Sequence, residues 1–175
     1  MSQPALSHLY NLNRLGQAGD DVSISATEEQ RAGLAAFAGV LRVDSFEARV
    51  ALKKLSADRF HLNFTLNADL VQACVVTLGE VPARIAREFL RELHFNPALR
   101  RAQIVAEAED IPLDDDLPEE IDSLHYDLAA PLIEEFVLAI DPYPRAAGVE
   151  FQPPEDGVKA PESPFAILKG LKSGL

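Results

Sequence analysis

The sharpest pattern along the chain is alternation. Phe60, Leu62, Phe64 and Leu66 alternate with Arg59, His61, Asn63 and Thr65, the period-two signature of a strand with one buried face. The preceding run does the same, with Phe46, Ala48, Val50 and Leu52 set against Glu47, Arg49 and Lys53 up to about Leu55. Ser56-Ala57-Asp58 supplies turn chemistry between them, so residues 46–55 and 59–66 are predicted to pair as a hairpin. Asn67-Ala68-Asp69 reads as a second turn into Leu70–Leu78, apolar on both faces and suited to a central strand. Beyond Gly79-Glu80 two patterns fit. Pro82 at a first helical position, with Ile85, Phe89, Leu90 and Leu93 to one side, makes a helix of residues 82–93; the period-two set Val81, Ala83, Ile85 and Phe89 makes a strand.

Two segments carry helical grammar. Thr27-Glu28-Glu29-Gln30 is a capping-box pattern, predicting a helix from Glu28 to about Ala38 that buries Leu34 and Phe37 and closes at Gly39. Asp127 opens a second, about residues 128–140, with Leu128, Leu132, Phe136 and Ile140 on one stripe and Pro142 as its stop. Near the start, Leu9–Leu12 and Val22–Ile24 suit short strands around a turn at Gly19-Asp20. The elements add up to an α+β fold: an antiparallel meander centred on residues 46–78, two main helices over one face, and a Pro-rich C-terminal extension. Residues 1–144 are expected to form a single domain, 145–162 a Pro-rich linker and 163–175 a short amphipathic segment. In that last segment Ser163 and Pro164 mark a helix start, and Phe165, Leu168 and Leu171 fall on one stripe with Lys169 and Lys172 on the other side.

Charge narrows the possible partners. The chain has 175 residues and a formal net charge of −12, a field that repels phosphate backbones and anionic lipid. Nine of the acids lie between Glu107 and Asp122, with no basic residue among them, and Asp114-Asp115-Asp116 and Glu119-Glu120 read as a solvated loop able to steer a basic partner. Arg84, Arg87, Arg91, Arg100 and Arg101 gather positive charge between residues 84 and 101. They are the candidates for direct RNA contact, set against simple charge balance with Glu88 and Glu92. A single cysteine, no basic-plus-apolar leader and no apolar run of membrane length fit a cytoplasmic chain without a membrane partner.

Reactive groups do not converge in the sequence. His8, His61, His94 and His125 lie on unrelated segments without metal-ligand spacing, and the glycines occur singly rather than in a phosphate-binding loop. Cys74 sits among apolar neighbours and reads as a small buried hydrophobe in mid-strand. The expectation is a protein that is not an enzyme and uses no cofactor and no metal.

The order of the motifs adds a resemblance. Gln72-Ala73-Cys74-Val75-Val76-Thr77-Leu78-Gly79-Glu80-Val81 precedes the acidic stretch. Asp127-Leu128 and its helix follow, closed by Asp141-Pro142-Tyr143-Pro144, and the chain then reaches Ser163-Pro164-Phe165-Ala166-Ile167-Leu168-Lys169-Gly170-Leu171-Lys172. Over roughly residues 20–172 this resembles the YceD family of large ribosomal RNA subunit accumulation proteins, and the Glu28–Phe37 helix is similar to its alphaproteobacterial-type branch. The resemblance implies a part in ribosome assembly and favours the strand for residues 82–93. The implied partner is a ribosomal protein or a pre-ribosomal large-subunit intermediate, met through Phe165, Leu168, Leu171, Tyr143, Asp114, Asp115 and Asp116. Direct ribosomal RNA contact through Arg84, Arg87 and Arg91 is the alternative. Many family members carry Cys-x-x-Cys where this chain has Cys74-Val75-Val76-Thr77, and a lone thiol there cannot complete a zinc site.

Overall fold

The alternation that begins at Phe60 does not stop at Leu66. In the computed structural model, which describes residues 6–99 and 118–149, one strand runs from Arg59 to Ala73. Its even positions Phe60, Leu62, Phe64, Leu66, Ala68 and Leu70 are each at most 1% exposed. The predicted turn at Asn67-Ala68-Asp69 is therefore absent. Ala68 keeps the period and faces Phe46 across the ladder. Asn67 and Asp69 point to the opposite face, where Ser45 Oγ donates to the Asp69 carboxylate at 2.8 Å and accepts from its backbone N–H at 3.1 Å. The turn comes later, at residues 74–79, and takes Cys74 out of the strand.

The elements in chain order are β1 (Leu9–Asn11), a single 3₁₀ turn (Leu12–Arg14), β2 (Asp20–Ser25), α1 (Glu28–Ala38), β3 (Arg42–Lys54), β4 (Arg59–Ala73), β5 (Glu80–Phe95), β6 (Glu119–Ile121), β7 (His125–Asp127) and α2 (Ala129–Leu138). The main sheet has the order β2-β3-β4-β5-β6. Residues 82–93 are strand, as the period-two reading and the resemblance favoured, and β5 pairs with β4 from Glu80 to His94. The sheet is not purely antiparallel. The end of the acidic stretch, predicted to be loop, lays β6 parallel to Leu93–Phe95 because Ile121 finds cover in the core, while Glu119 and Glu120 stay in water. β1 and β2 are not partners around Gly19-Asp20; β1 pairs with β7 instead.

Register builds one apolar face. Val50, Phe64 and Phe89 lie side by side across three strands, and the Phe64 and Phe89 rings stack at 4.7 Å. Both helices cover this face. α1 starts with the predicted capping box, Gln30 N–H donating to Thr27 Oγ1 and Thr27 N–H to Gln30 Oε1, and ends at Gly39 with φ 68°. It buries Leu34 and Ala35, but Phe37 is 53% exposed. The stripe that meets the core is Leu34, Ala35 and Ala38, and at 3.6 residues per turn Phe37 falls to one side of it. α2 sets Phe136 edge-on against Phe46 at 5.5 Å. Asp127 holds its start, accepting from the N–H groups of Ala129 and His8; the helix ends at Leu138, two residues before Ile140. The other sheet face carries Asn63, Thr65, Asn67, Arg49 and Glu88, and no helix covers it among the described residues.

Phe64→Ala should lower stability by ~3–5 kcal/mol, since it empties a stacked site at the centre of the core. Leu90→Ala, on the open face, should change it by less than ~0.5 kcal/mol. Urea midpoints read both, and equal losses would contradict the one-faced sheet.

Candidate protein interface at one end of the sheet

Four segments meet where β4 ends: the last turn of α1, the start of β3, the 74–79 turn and the chain that follows α2. Backbone and side-chain bonds fasten them. Leu41 N–H donates to the Val71 carbonyl at 2.9 Å, and Val75 N–H to that of Pro144 at 2.9 Å. Gln72, the one polar side chain buried among the described residues, donates from Nε2 to the Asp141 carbonyl at 2.7 Å. A buried amide left unpaired is costly, so this bond fixes the exit of α2 against β4. On the rim, Arg42 bridges Glu80 at 2.7 Å and Asp44 at 3.0 Å.

The 74–79 turn is closed by Cys74 N–H to the Gly79 carbonyl at 2.8 Å and Leu78 N–H to the Cys74 carbonyl at 2.9 Å. Ala146 N–H, in the segment that follows α2, approaches Cys74 Sγ at 3.4 Å. The sulfur is out of solvent but in the outermost layer of the molecule, so desolvation is the smallest influence on it. The Thr77 hydroxyl and the N–H groups of Ala146, Thr77 and Val76 favour the thiolate and bring the thiol down to about 6. With Thr77 at the second position and Arg145, Ala146 and Ala147 across from it, the turn offers a metal ion one sulfur. No group of three or more His, Cys, Asp or Glu side chains is placed for a metal among the described residues. The residues present do not fit zinc, and hydrogen bonds hold the turn instead.

What this end shows to water is apolar. Ten large hydrophobic side chains stand well exposed among the described residues. Seven of them lie here: Phe37 and Leu41 from the α1 exit, Val75 and Leu78 from the turn, Val137 and Leu138 from the last turn of α2, and Tyr143 beyond it. Such concentration marks an interaction surface more than chance exposure does. Beside Leu41, a groove of about 510 Å³ separates α1 from β3; it is mixed in character, with Ala32, Ala35 and Val43 alongside the charged Arg31, Arg42 and Asp44. Leu78 is the most informative member. It is 79% exposed and has φ 60°, a left-handed conformation that costs a branched side chain about 1 kcal/mol. Asn or Gly would sit there at less cost and greater solubility.

The candidate residues from the sequence are dispersed differently. Tyr143 is 72% exposed within this apolar end. Asp114, Asp115, Asp116, Phe165, Leu168 and Leu171 lie outside the described residues, as do Arg100 and Arg101. The strand splits the remaining arginines. Arg84 is on the open face, loosely paired with Asp69 at 3.9 Å. Arg87 and Arg91 are on the helix-side face, opposite Leu66 and Leu62. Arg91 is tied to Glu134 of α2 at 3.2 Å, with its Nε buried and unpartnered. They do not form one patch. Sequence reading missed Phe37, Leu41, Val75 and Leu78 because each belongs to an apolar run that looks like core. The turn residues Thr77 and Gly79 were the available signal.

Residues 62–172 match the family model of the large ribosomal RNA subunit accumulation protein YceD. The chain belongs to the YceD family. Its role therefore lies in the accumulation of the large ribosomal RNA subunit. The YceD match takes in most of β4, the 74–79 turn, β5, α2, Tyr143 and residues 165–171; α1 with Phe37 lies before it. No curated protein and no solved structure matches the chain. No helix among the described residues is long and apolar enough to cross a membrane.

Leu78→Asn should raise stability by about 1 kcal/mol by relieving the left-handed leucine, visible as a higher urea midpoint at unchanged slope. A loss of about 2 kcal/mol or more, the size expected for a buried leucine, would mean that Leu78 belongs to the core.

Proposed function

We propose that this YceD chain is a cytoplasmic, non-enzymatic factor that supports large-subunit ribosomal RNA accumulation by binding a ribosomal protein or a protein-bearing large-subunit precursor through the apolar end of its sheet. The supporting observation is Leu78, an exposed leucine kept in a disfavoured backbone conformation and one of seven exposed apolar side chains on the segments that meet at this end. Strain retained at a solvated apolar position points to a role in contact. A net charge of −12 suits a basic partner, as ribosomal proteins are. The acidic run with Asp114, Asp115 and Asp116 would steer that partner, while Tyr143, Leu78 and Leu138 would supply the desolvated contact, aided by Phe165, Leu168 and Leu171. The binding step needs no covalent chemistry. It withdraws a basic, apolar surface from water and from wrong partners until the subunit offers its own site.

Direct RNA binding is the weaker reading, since Arg84 and Arg91 are engaged with Asp69 and Glu134 and lie on opposite faces. Capture from cell lysate at low and moderate salt separates the two. Wild-type protein should enrich large-subunit proteins or their precursors. The pair Leu138→Ala and Tyr143→Ala should weaken that capture ~30-fold or more, as expected when about 2 kcal/mol of buried contact is lost. Arg84→Ala with Arg87→Ala should leave it unchanged. Recovery of bare ribosomal RNA, lost steeply with salt and abolished by the arginine pair, would overturn the proposal. So would recovery of neither protein nor RNA.

A further inference from the structure

We propose that the apolar end of the sheet is, in the free protein, the seat of the chain's own amphipathic segment, Ser163–Lys172. The inference concerns the isolated chain and does not depend on the identity of any partner. Where the chain leaves the described fold supports it first. Ala146 is bonded to Cys74 Sγ within this end, and the described residues finish at Val149. Residues 150–162 then lead to Ser163. A linker of that length spans ~43 Å fully extended and ~20 Å on average. The distance from Val149 back over Val75, Leu78 and Tyr143 is well within that reach. Tethering at such length gives an effective concentration on the order of millimolar, so a contact too weak to form between separate molecules is largely closed.

Chemical fit supports it second. The segment offers Phe165, Leu168 and Leu171 on one stripe, and the end offers Leu41, Val75, Leu78, Leu138 and Tyr143 in water. Residues 163–175 include Lys169 and Lys172 and no acidic side chain, within a chain of net charge −12. The rim of the end carries the exposed acids Asp44, Glu80 and Asp141 around Arg42 and Arg145. Three acids against two arginines leave this border slightly acidic, so it does not repel a segment whose charged side chains are both lysines. Docking would cover the strained Leu78 and shield from aggregation a surface that a partner later takes, with the partner displacing the segment.

Paramagnetic relaxation in the full-length chain tests the contact. A nitroxide is attached at Ser173→Cys in a chain carrying Cys74→Ser, because the native thiol is held toward its reactive thiolate in the outer layer of the molecule. The amide signals of Leu41, Val75, Leu78 and Leu138 should fall to about half or less, while those of Leu55 and Arg59, at the far end of the sheet, remain. Leu168→Asp with Leu171→Asp should restore the lost signals, and Leu78→Asp on the body should restore them in part without harm to the fold. Equal broadening in wild type and variants overturns the proposal, as does broadening spread evenly over the surface. Broadening of unlabelled chains mixed with labelled ones, growing with concentration, also overturns it by placing the segment on a second copy. None of these results bears on capture of a ribosomal partner.

Discussion

β4 has to bury six alternate side chains from Phe60 to Leu70, and neither neighbour can slip by one residue without turning its own apolar set to water. This constraint fixes the long ladders with β3 and β5 and hence the single apolar face. It also decides which side the helices take: α1 and α2 each bring a narrow apolar stripe, and one face of the sheet is there to receive them. Each large side chain on that face is worth about 2 kcal/mol of burial, so the register outweighs any local turn preference along β4. Asn67 and Asp69 show this directly. Both are turn formers, yet both are drawn into extended backbone because Ala68 between them belongs to the buried set.

The same spine creates the exposed end. β4 and β5 pair as far as Ala73 and Glu80, and the chain must reverse there. Chain reversal at residues 74–79, the α1 exit and the α2 exit then crowd around the tip of β4. Gln72 and Cys74 become the internal fasteners of this cluster, and the large side chains beyond them have no fold of their own to enter. An apolar end follows from the geometry of the sheet. Its retention as leucine, valine, phenylalanine and tyrosine does not, because the same backbone would accept polar residues at every one of these positions.

The elements readable from sequence were those with a strong period or a complete cap. The strands around Phe46–Leu52 and Phe60–Leu66, the Thr27–Gln30 capping box, Gly39 and the Asp127 start of α2 are stated by local chemistry. Residues 82–93 satisfied both periods, and pairing with β4 decides between them. Leu70–Leu78 looked like a separate strand because an apolar run does not reveal where its backbone turns. Phe37 and Leu78 were unreadable for a related reason. A hydrophobic side chain is assigned to the core by default, and neither the side of α1 that meets the sheet nor the chain reversal after Ala73 can be read from the residues themselves. The arginines carried charge information but not facing, which depends on the strand register that separates Arg84 from Arg87 and Arg91.

Contact with a basic protein is the reading we propose for a chain of net charge −12 whose exposed apolar side chains lie mostly at one end. Amide hydrogen exchange on the complex captured from cells tests that claim most directly. The account predicts new protection at residues 40–41, 74–79 and 138–143, with the open polar face around Asn63 and Thr65 unchanged. Protection confined to that open face, or to β5 around Arg84 and Arg87, would contradict it.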